Sequence, residues 1–233
     1  MPQSTEAAIL TETGKPLSIL PLEIPDLAPG QVLVDVAFSG LCHTQLLEIR
    51  GKRGPDRFLP HTLGHEGSGV VAAIGAGVAK IAPGDRVVLS WLKGEGADVP
   101  ATVYQSGEMK INSGAISTFM RRTVTCENRV TSIPDALPLR EAALLGCAIP
   151  TGAGVVRNTA GVGAGESVAI FGIGGIGQSA VLAAGFVEAG VVIAIDVVDS
   201  KLEQAQRLGA THLINAHEKD PLKTIMDITD GRG

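Results

Sequence analysis

Aromatic residues are scarce in this 233-residue chain: one Trp, one Tyr and five Phe, 3% in all. That scarcity excludes the base-stacking surface of a single-strand nucleic-acid binder, and it requires a core built from Val, Ile, Leu and Ala. Cysteine is scarce too. Three residues, Cys42, Cys126 and Cys147, are too few and too scattered for a disulfide scaffold. They fit a reducing compartment, where cysteine is buried, catalytic or metal-bound. Positive charge is not in excess: 19 Lys+Arg against 24 Asp+Glu give a net charge of −5. A nucleic-acid or anionic-membrane surface needs clustered positive charge, so neither partner is expected. No uninterrupted apolar run reaches the ~18 residues of a membrane span. The start, Met1 to Glu6, lacks the basic and apolar regions of a signal peptide. The expectation is a soluble, cytoplasmic protein.

Hydrophobic residues make up 45% of the chain, enough for a substantial core. Its length corresponds to one or two domains. Glycine is abundant, 30 of 233 residues, nearly double the usual ~7%, and marks many sharp turns. Two halves differ in pattern. Residues 1–150 read as short strands broken by Pro and Gly. Gln31 to Phe38 alternates as a half-buried strand should, and Val70–Ile74 and Asp85–Leu89 are further strands. From Gly161 onward, Ser167–Phe171, Val191–Asp196 and His212–Asn215 read as strands. Helices are expected over Ile176–Ala189, Ser200–Leu208 and Pro221–Ile228. This β-α-β-α-β-α order is that of a parallel sheet with crossover helices. It supplies the first half of a Rossmann doubly wound parallel sheet, with a fourth strand expected next where the sequence stops. The fold class is therefore α/β, with a β-rich domain over 1–150 and an incomplete dinucleotide-binding domain over 151–233.

Gly172, Gly174 and Gly177 match G-x-G-x-x-G between a strand and a helix, with Gly175 in the same loop. Their tasks are a tight turn, close approach to a pyrophosphate and close helix–strand packing. The helix start would offer free N–H groups to the phosphates. The second strand ends at Asp196, nineteen residues after Gly177 and close to the ~20 expected for a ribose-binding acid. Such a carboxylate would repel a 2′-phosphate, which favours NAD over NADP.

Cys42 lies in Gly40-Leu41-Cys42-His43-Thr44, His65 in Gly64-His65-Glu66, and Cys147 in Gly146-Cys147-Ala148. No local spacing ties them together, although two thiolates and one imidazole would leave a tetrahedral metal one open position. His61 and His65 are four apart, but Pro60 and Gly64 exclude a helix there, so His61 is set aside as a ligand. Cys126 reads as a packed thiol, and His212 and His217 as surface residues.

The segments around these residues resemble the zinc-containing alcohol dehydrogenases of the medium-chain dehydrogenase/reductase family. The resemblance rests on Gly64-His65-Glu66 with Gly69, Gly75 and Val78, on Gly84-Asp85-Arg86-Val87, and on Thr151-Gly152-Ala153-Gly154. It covers the whole chain and implies a GroES-like β-rich domain before the Rossmann half. It also implies one catalytic Zn2+ on Cys42, His65 and Cys147, with Glu66 beside the metal as a neighbouring or alternative ligand. Thr44 would hydrogen-bond the alcohol and accept its proton. His43 would approach the cofactor pyrophosphate, Thr151 the nicotinamide, and Asp196 with Lys201 the adenosine ribose. The implied activity is NAD-linked oxidation of a primary or secondary alcohol to an aldehyde or ketone, in a homo-oligomeric parent enzyme. The competing reading is an inactive fragment of such an enzyme that binds zinc without turnover.

Three departures from the family pattern stand out. Between Leu89 and Gly114 there is no cysteine, which excludes the four-cysteine structural zinc found in many members; Gly94–Asp98 reads as a replacement loop. Gln45 stands where an Asp commonly orients the histidine ligand. Leu47 stands where some members place a proton-relaying histidine, so a more alkaline pH optimum is expected.

Overall fold

The computed structural model of the chain describes residues 3–232. The backbone divides into two compact units, one running to Cys147 and the other starting at Ala148. In the first, β1 (Ser4–Leu10), β2 (Ser18–Glu23) and β3 (Gln31–Ser39) precede a short helix, α1 (His43–Ile49). Then come β4 (His61–Thr62), β5 (Glu66–Ile74), β6 (Arg86–Ser90), β7 (Val103–Ser106), β8 (Met109–Asn112), β9 (Arg122–Cys126), β10 (Val130–Ser132) and a helical turn, α2 (Leu139–Ala142). Strands β1-β2-β7-β8-β4 close into a barrel, and β10-β6-β5-β3-β9 form a five-stranded sheet.

Strand β3 departs from the half-buried alternation expected of it. Val32 and Val34 pack with Val71, Val87 and Leu89, while Leu33 points the other way, into a core with Ile9, Leu22, Tyr104 and Ile111. Its first four residues are buried on both faces, because a core lies on each side. The only tyrosine, Tyr104, is fully buried in the second of these cores, where its oxygen accepts the Val124 N–H at 2.8 Å. Burial pushes its phenol above the ordinary value. Strand β5 begins at Glu66, four residues earlier than the sequence pattern suggests. Gly67 and Gly69 lie inside the strand rather than in a loop, since a Cβ at Gly69 would overlap the Asp35 carbonyl of β3. The two strands pair that closely across register shifts at Leu33/Val34 and Val36/Phe38.

The loop between β6 and β7 contains the cysteine-free stretch, and a carboxylate holds it. Glu127 is 5% exposed. Its Oε1 accepts the N–H groups of Ala79 and Lys80, each at 2.7 Å, and its Oε2 accepts that of Ala97 at 2.9 Å. The Ala97, Lys80 and Ala79 donors hold the carboxyl below its ordinary value of 4.5.

The second unit contains α3 (Ala148–Gly154), β11 (Ser167–Phe171), α4 (Gly175–Phe186), β12 (Val191–Asp196), α5 (Asp199–Arg207), β13 (His212–Asn215) and α6 (Pro221–Ile228). The strands are parallel in the order β11-β12-β13, the arrangement of one half of a doubly wound sheet. Helix α4 ends three residues before the expected Ala189, because Glu188 takes a left-handed φ of 57°. Helix α6 starts as its sequence suggests: the Asp220 carboxylate accepts the Leu222 and Lys223 N–H groups, and Pro221 follows the cap. Among the described residues no single helix is long and apolar enough to cross a membrane.

Candidate metal centre and glycine loop

Three chain segments of the first unit meet around Glu66. Cys42 caps α1 just after β3, His65 precedes β5, and Cys147 follows a tight turn over Ala143–Gly146. Two glycines let the cysteine-bearing segments come this close. The Gly40 N–H donates to the Glu66 carbonyl at 3.1 Å, and a Cβ on Gly40 would overlap the Glu66 side chain. A Cβ on Gly146 would overlap the Leu89 carbonyl and lie 2.8 Å from Glu66 Cβ. Ser90 Oγ anchors that turn by donating to the Gly146 carbonyl at 2.7 Å. As a result Cys42 Sγ, a ring nitrogen of His65 and Cys147 Sγ all lie within 4.8 Å of one another. Cys147 Sγ is 3.3 Å from His65 Nε2, and Cys42 Sγ is 3.6 Å from Thr44 Oγ1. Thr44 and His65 also line a cavity of about 310 Å³ whose wall includes Arg53, Phe58, His61 and Ile116.

An orphaned atom tests whether this donor set suits a metal. Gln45 Nε2 lies 2.6 Å from His65 Nδ1, while Gln45 Oε1 is buried without a hydrogen-bond partner. Turning the amide by half a rotation places Oε1 where it accepts the Nδ1–H of His65. That satisfies the orphan and leaves the Nε2 lone pair facing the sulfurs. It is the way metal-bound histidines are held from behind. Burial, reinforced by the charge of Arg53, keeps the imidazole below its ordinary value of 6.5 and therefore neutral. Two thiols and a neutral imidazole fit a Cys₂His zinc centre with one position open.

In the second unit the glycine loop lies between β11 and α4. Gly172 has φ +86°, and a Cβ on Gly177 would overlap the Gly172 carbonyl. Nothing lies within 4 Å of a Cβ built on Gly174 or Gly175, so that side of the loop is open. Asp196 closes β12 at 8% exposure. Its Oδ2 accepts the Ile173 N–H at 2.7 Å, and its Oδ1 accepts those of Val197 and Val198 at 2.8 and 3.0 Å. Lys201 Nζ is 3.6 Å from Oδ2. Burial pushes this carboxyl up, but the three N–H donors and Lys201 outweigh it, and the net shift is downward. A carboxylate has about four lone-pair positions, so some accepting capacity remains beyond the three backbone bonds.

The other expected site residues are spread more widely. His43 is the exposed first residue of α1, and Thr151 lies in α3 of the second unit. Leu47 is exposed on α1. Cys126 is buried in β9, and His212 and His217 are exposed. Sequence reasoning passed over a cluster of Glu48, Asp56 and His61, whose spacing carries no local signal.

Residues 28–135 match the family model for an alcohol dehydrogenase GroES-like domain, and residues 175–233 match that for a zinc-binding dehydrogenase. Over 252 aligned positions the chain is 36% identical to the NDMA-dependent alcohol dehydrogenase of Amycolatopsis methanolica, covering 98% of this chain and 67% of that protein. It is 34% identical to the S-(hydroxymethyl)glutathione dehydrogenase of Photobacterium damsela subsp. piscicida, covering 95% and 67%. The crystal structure of an alcohol dehydrogenase zinc-binding domain protein from Burkholderia ambifaria superposes with a TM-score of 0.91 at 36% identity, covering 99% of this chain and 69% of that one. The chain thus spans about two thirds of the length of these relatives. With a GroES-like unit, a Rossmann-type unit and these relatives together, the chain belongs to the zinc-containing alcohol dehydrogenases of the medium-chain dehydrogenase/reductase family.

Proposed function

We propose that the protein carries out zinc-dependent, NAD-linked oxidation of a primary or secondary alcohol to an aldehyde or ketone, and the reverse reduction. The observation that carries this reading is the convergence of Cys42, His65 and Cys147, with Thr44 3.6 Å from Cys42 Sγ on the wall of a cavity. Residues 1–150 would hold the metal and residues 151–233 the dinucleotide. Zinc held by the three ligands supplies Lewis acidity, lowering the pKa of an alcohol much as it lowers that of bound water to ~7. NAD supplies the hydride acceptor.

The chain's own residues do the placing. Gln45 fixes the His65 ring, and Glu66, buried beneath both cysteine-bearing turns, sits beside the ligand set. Thr44 Oγ would accept the hydrogen bond of the alcohol and, on taking its proton, pass its own hydroxyl proton on to water. The open loop at Gly174 and Gly175 would take the pyrophosphate. Asp196 and Lys201 bind the adenosine ribose, and the Asp196 charge disfavours a 2′-phosphate.

Elemental mass spectrometry on protein purified without added metal tests the reading first, followed by NADH formation across an alcohol panel. One zinc per chain that disappears in Cys42→Ser, with turnover on at least one alcohol, is the expected result. Zinc-free protein that gains none on reconstitution refutes the site.

A further inference from the structure

Glu48, Asp56 and His61 form a second cluster in the first unit, apart from the three ligands above. A carboxylate oxygen of Glu48, one of Asp56 and a ring nitrogen of His61 lie within 4.8 Å of one another. They arrive from three directions: Glu48 from the last turn of α1, Asp56 from the loop that follows, and His61 from β4. His61 is 7% exposed, and its Nδ1 lies 2.8 Å from the Thr62 carbonyl oxygen. A carbonyl only accepts, so Nδ1 carries a proton. Nε2 is then the nitrogen that faces Asp56 Oδ2, at 2.8 Å. Asp56 Oδ1 in turn accepts the Phe58 N–H at 2.9 Å. Imidazole and carboxylate are thus both oriented from behind, which is how metal ligands are held.

Charge balance points the same way. Nε2 and Oδ2 are both acceptors unless something positive lies between or beside them. A proton on Nε2 would pair His61 with Asp56 and leave Glu48 uncompensated. The Glu48 carboxylate has no hydrogen bond or ion pair among the described residues, and its oxygen nevertheless approaches the other two ligand atoms. Neither adjacent guanidinium is ion-paired with it among the described residues: Arg57 lies over the Phe58 ring at 5.0 Å, and Arg53 stands on the same cavity wall. A divalent cation bound to neutral His61 and two carboxylates brings the cluster to zero.

We propose that Glu48, Asp56 and His61 hold a second divalent cation of the Mn2+, Co2+ or Zn2+ class. One imidazole and two carboxylates form a nitrogen–oxygen set suited to these ions, with positions left for water. The inference does not depend on the cysteine centre, although Glu48 and His61 share the cavity wall with Thr44 and His65.

Cobalt titration of the full metal-free chain tests it, because thiolate ligands give cobalt a charge-transfer band and oxygen and nitrogen ligands do not. Equilibrium dialysis should count one Co2+ that binds without that band, whether or not the cysteine centre fills. Glu48→Gln and Asp56→Asn should each weaken this Co2+ at least tenfold and leave the band-forming step unchanged. Glu48→Gln keeps side-chain volume on a partly exposed helical turn, and circular dichroism verifies that it folds. The proposal is overturned if every bound Co2+ gives the thiolate band. It is equally overturned if the band-free Co2+ binds both variants as tightly as the parent, which would leave a plain His61–Asp56 hydrogen bond.

Discussion

Replacing Glu127 by Gln tests the account of how the cysteine-free loop is held. The carboxylate receives three N–H groups, two on Oε1 and one on Oε2, and an amide has only one oxygen to offer. In its better orientation Gln keeps Ala79 and Lys80 and turns its own NH₂ toward the Ala97 N–H. Ala97 is half-buried, and a donor there without an acceptor costs about 1–3 kcal/mol. The two retained bonds lose their charge assistance, worth about 1 kcal/mol each at most. Water recovers part of this, since Ala79 and Lys80 are exposed. The net loss is about 2–3 kcal/mol, or about 4–12 °C in Tm for a chain of this size. Trp91 is the only tryptophan, and the Arg129 side chain donates to its carbonyl, so its fluorescence reports on this region during urea or thermal unfolding. Glu95→Gln on the same loop is the control and should change Tm little. The folded-state pKa of Glu127 is depressed, so its contribution is full above the ordinary 4.5 and is lost as pH falls through the folded value. The gap between parent and variant should therefore narrow below pH 4.5. A variant whose Tm matches the parent at neutral pH, or a gap unchanged down to pH 3, refutes the clip.

Gln45→Ala should weaken zinc binding roughly ten- to hundredfold by releasing the His65 ring, as measured by competition with a chromogenic chelator. Gly146→Ala forces a methyl into the Leu89 carbonyl and Glu66, and should purify with well under half the parent's zinc; full occupancy would contradict the close approach described at that turn. Asp196→Asn should weaken NAD binding roughly ten- to hundredfold, from the loss of charged hydrogen bonds, and narrow the preference over NADP, as calorimetry would read. With Leu47 at the relay position, the oxidation rate should rise from neutral to basic pH, and a flat kcat profile across that range would remove the argument.

The second unit was largely legible because its strands are short apolar runs that end at glycines or turn residues. Strands 167–171, 191–196 and 212–215 occur as the pattern indicates. Helix α4 stops short of Ala189 because a non-glycine residue just beyond it, Glu188, takes the left-handed region, which composition does not reveal. In the first unit, β3 looked half-buried because apolar residues facing two cores read like one alternating face. Helix α1 was not legible at all: it has seven residues, and its N-cap Cys42 makes no side-chain capping bond. Gly172, Gly177 and Asp196 carry local spacing. The cysteine and histidine set carries none, and in the sequence only the family resemblance joins it. Glu127 depends on long-range packing, and the Glu48–Asp56–His61 cluster on how one irregular loop folds back on itself; neither leaves a periodic trace in the sequence.

His65 and Cys147 meet across 82 residues of intervening chain. On a ribosome adding about 5–20 residues per second, the histidine waits about 4–16 s for its second sulfur to be made. During that interval Cys42 and His65 would make only a two-ligand half of the proposed site, with the first thiol open to oxidation or to the wrong metal. Tight capture can begin only after the last turn of the first unit has emerged. If the proposed zinc is held there, its retention would be a timestamp on synthesis: a nascent chain that holds it would already have completed the first unit.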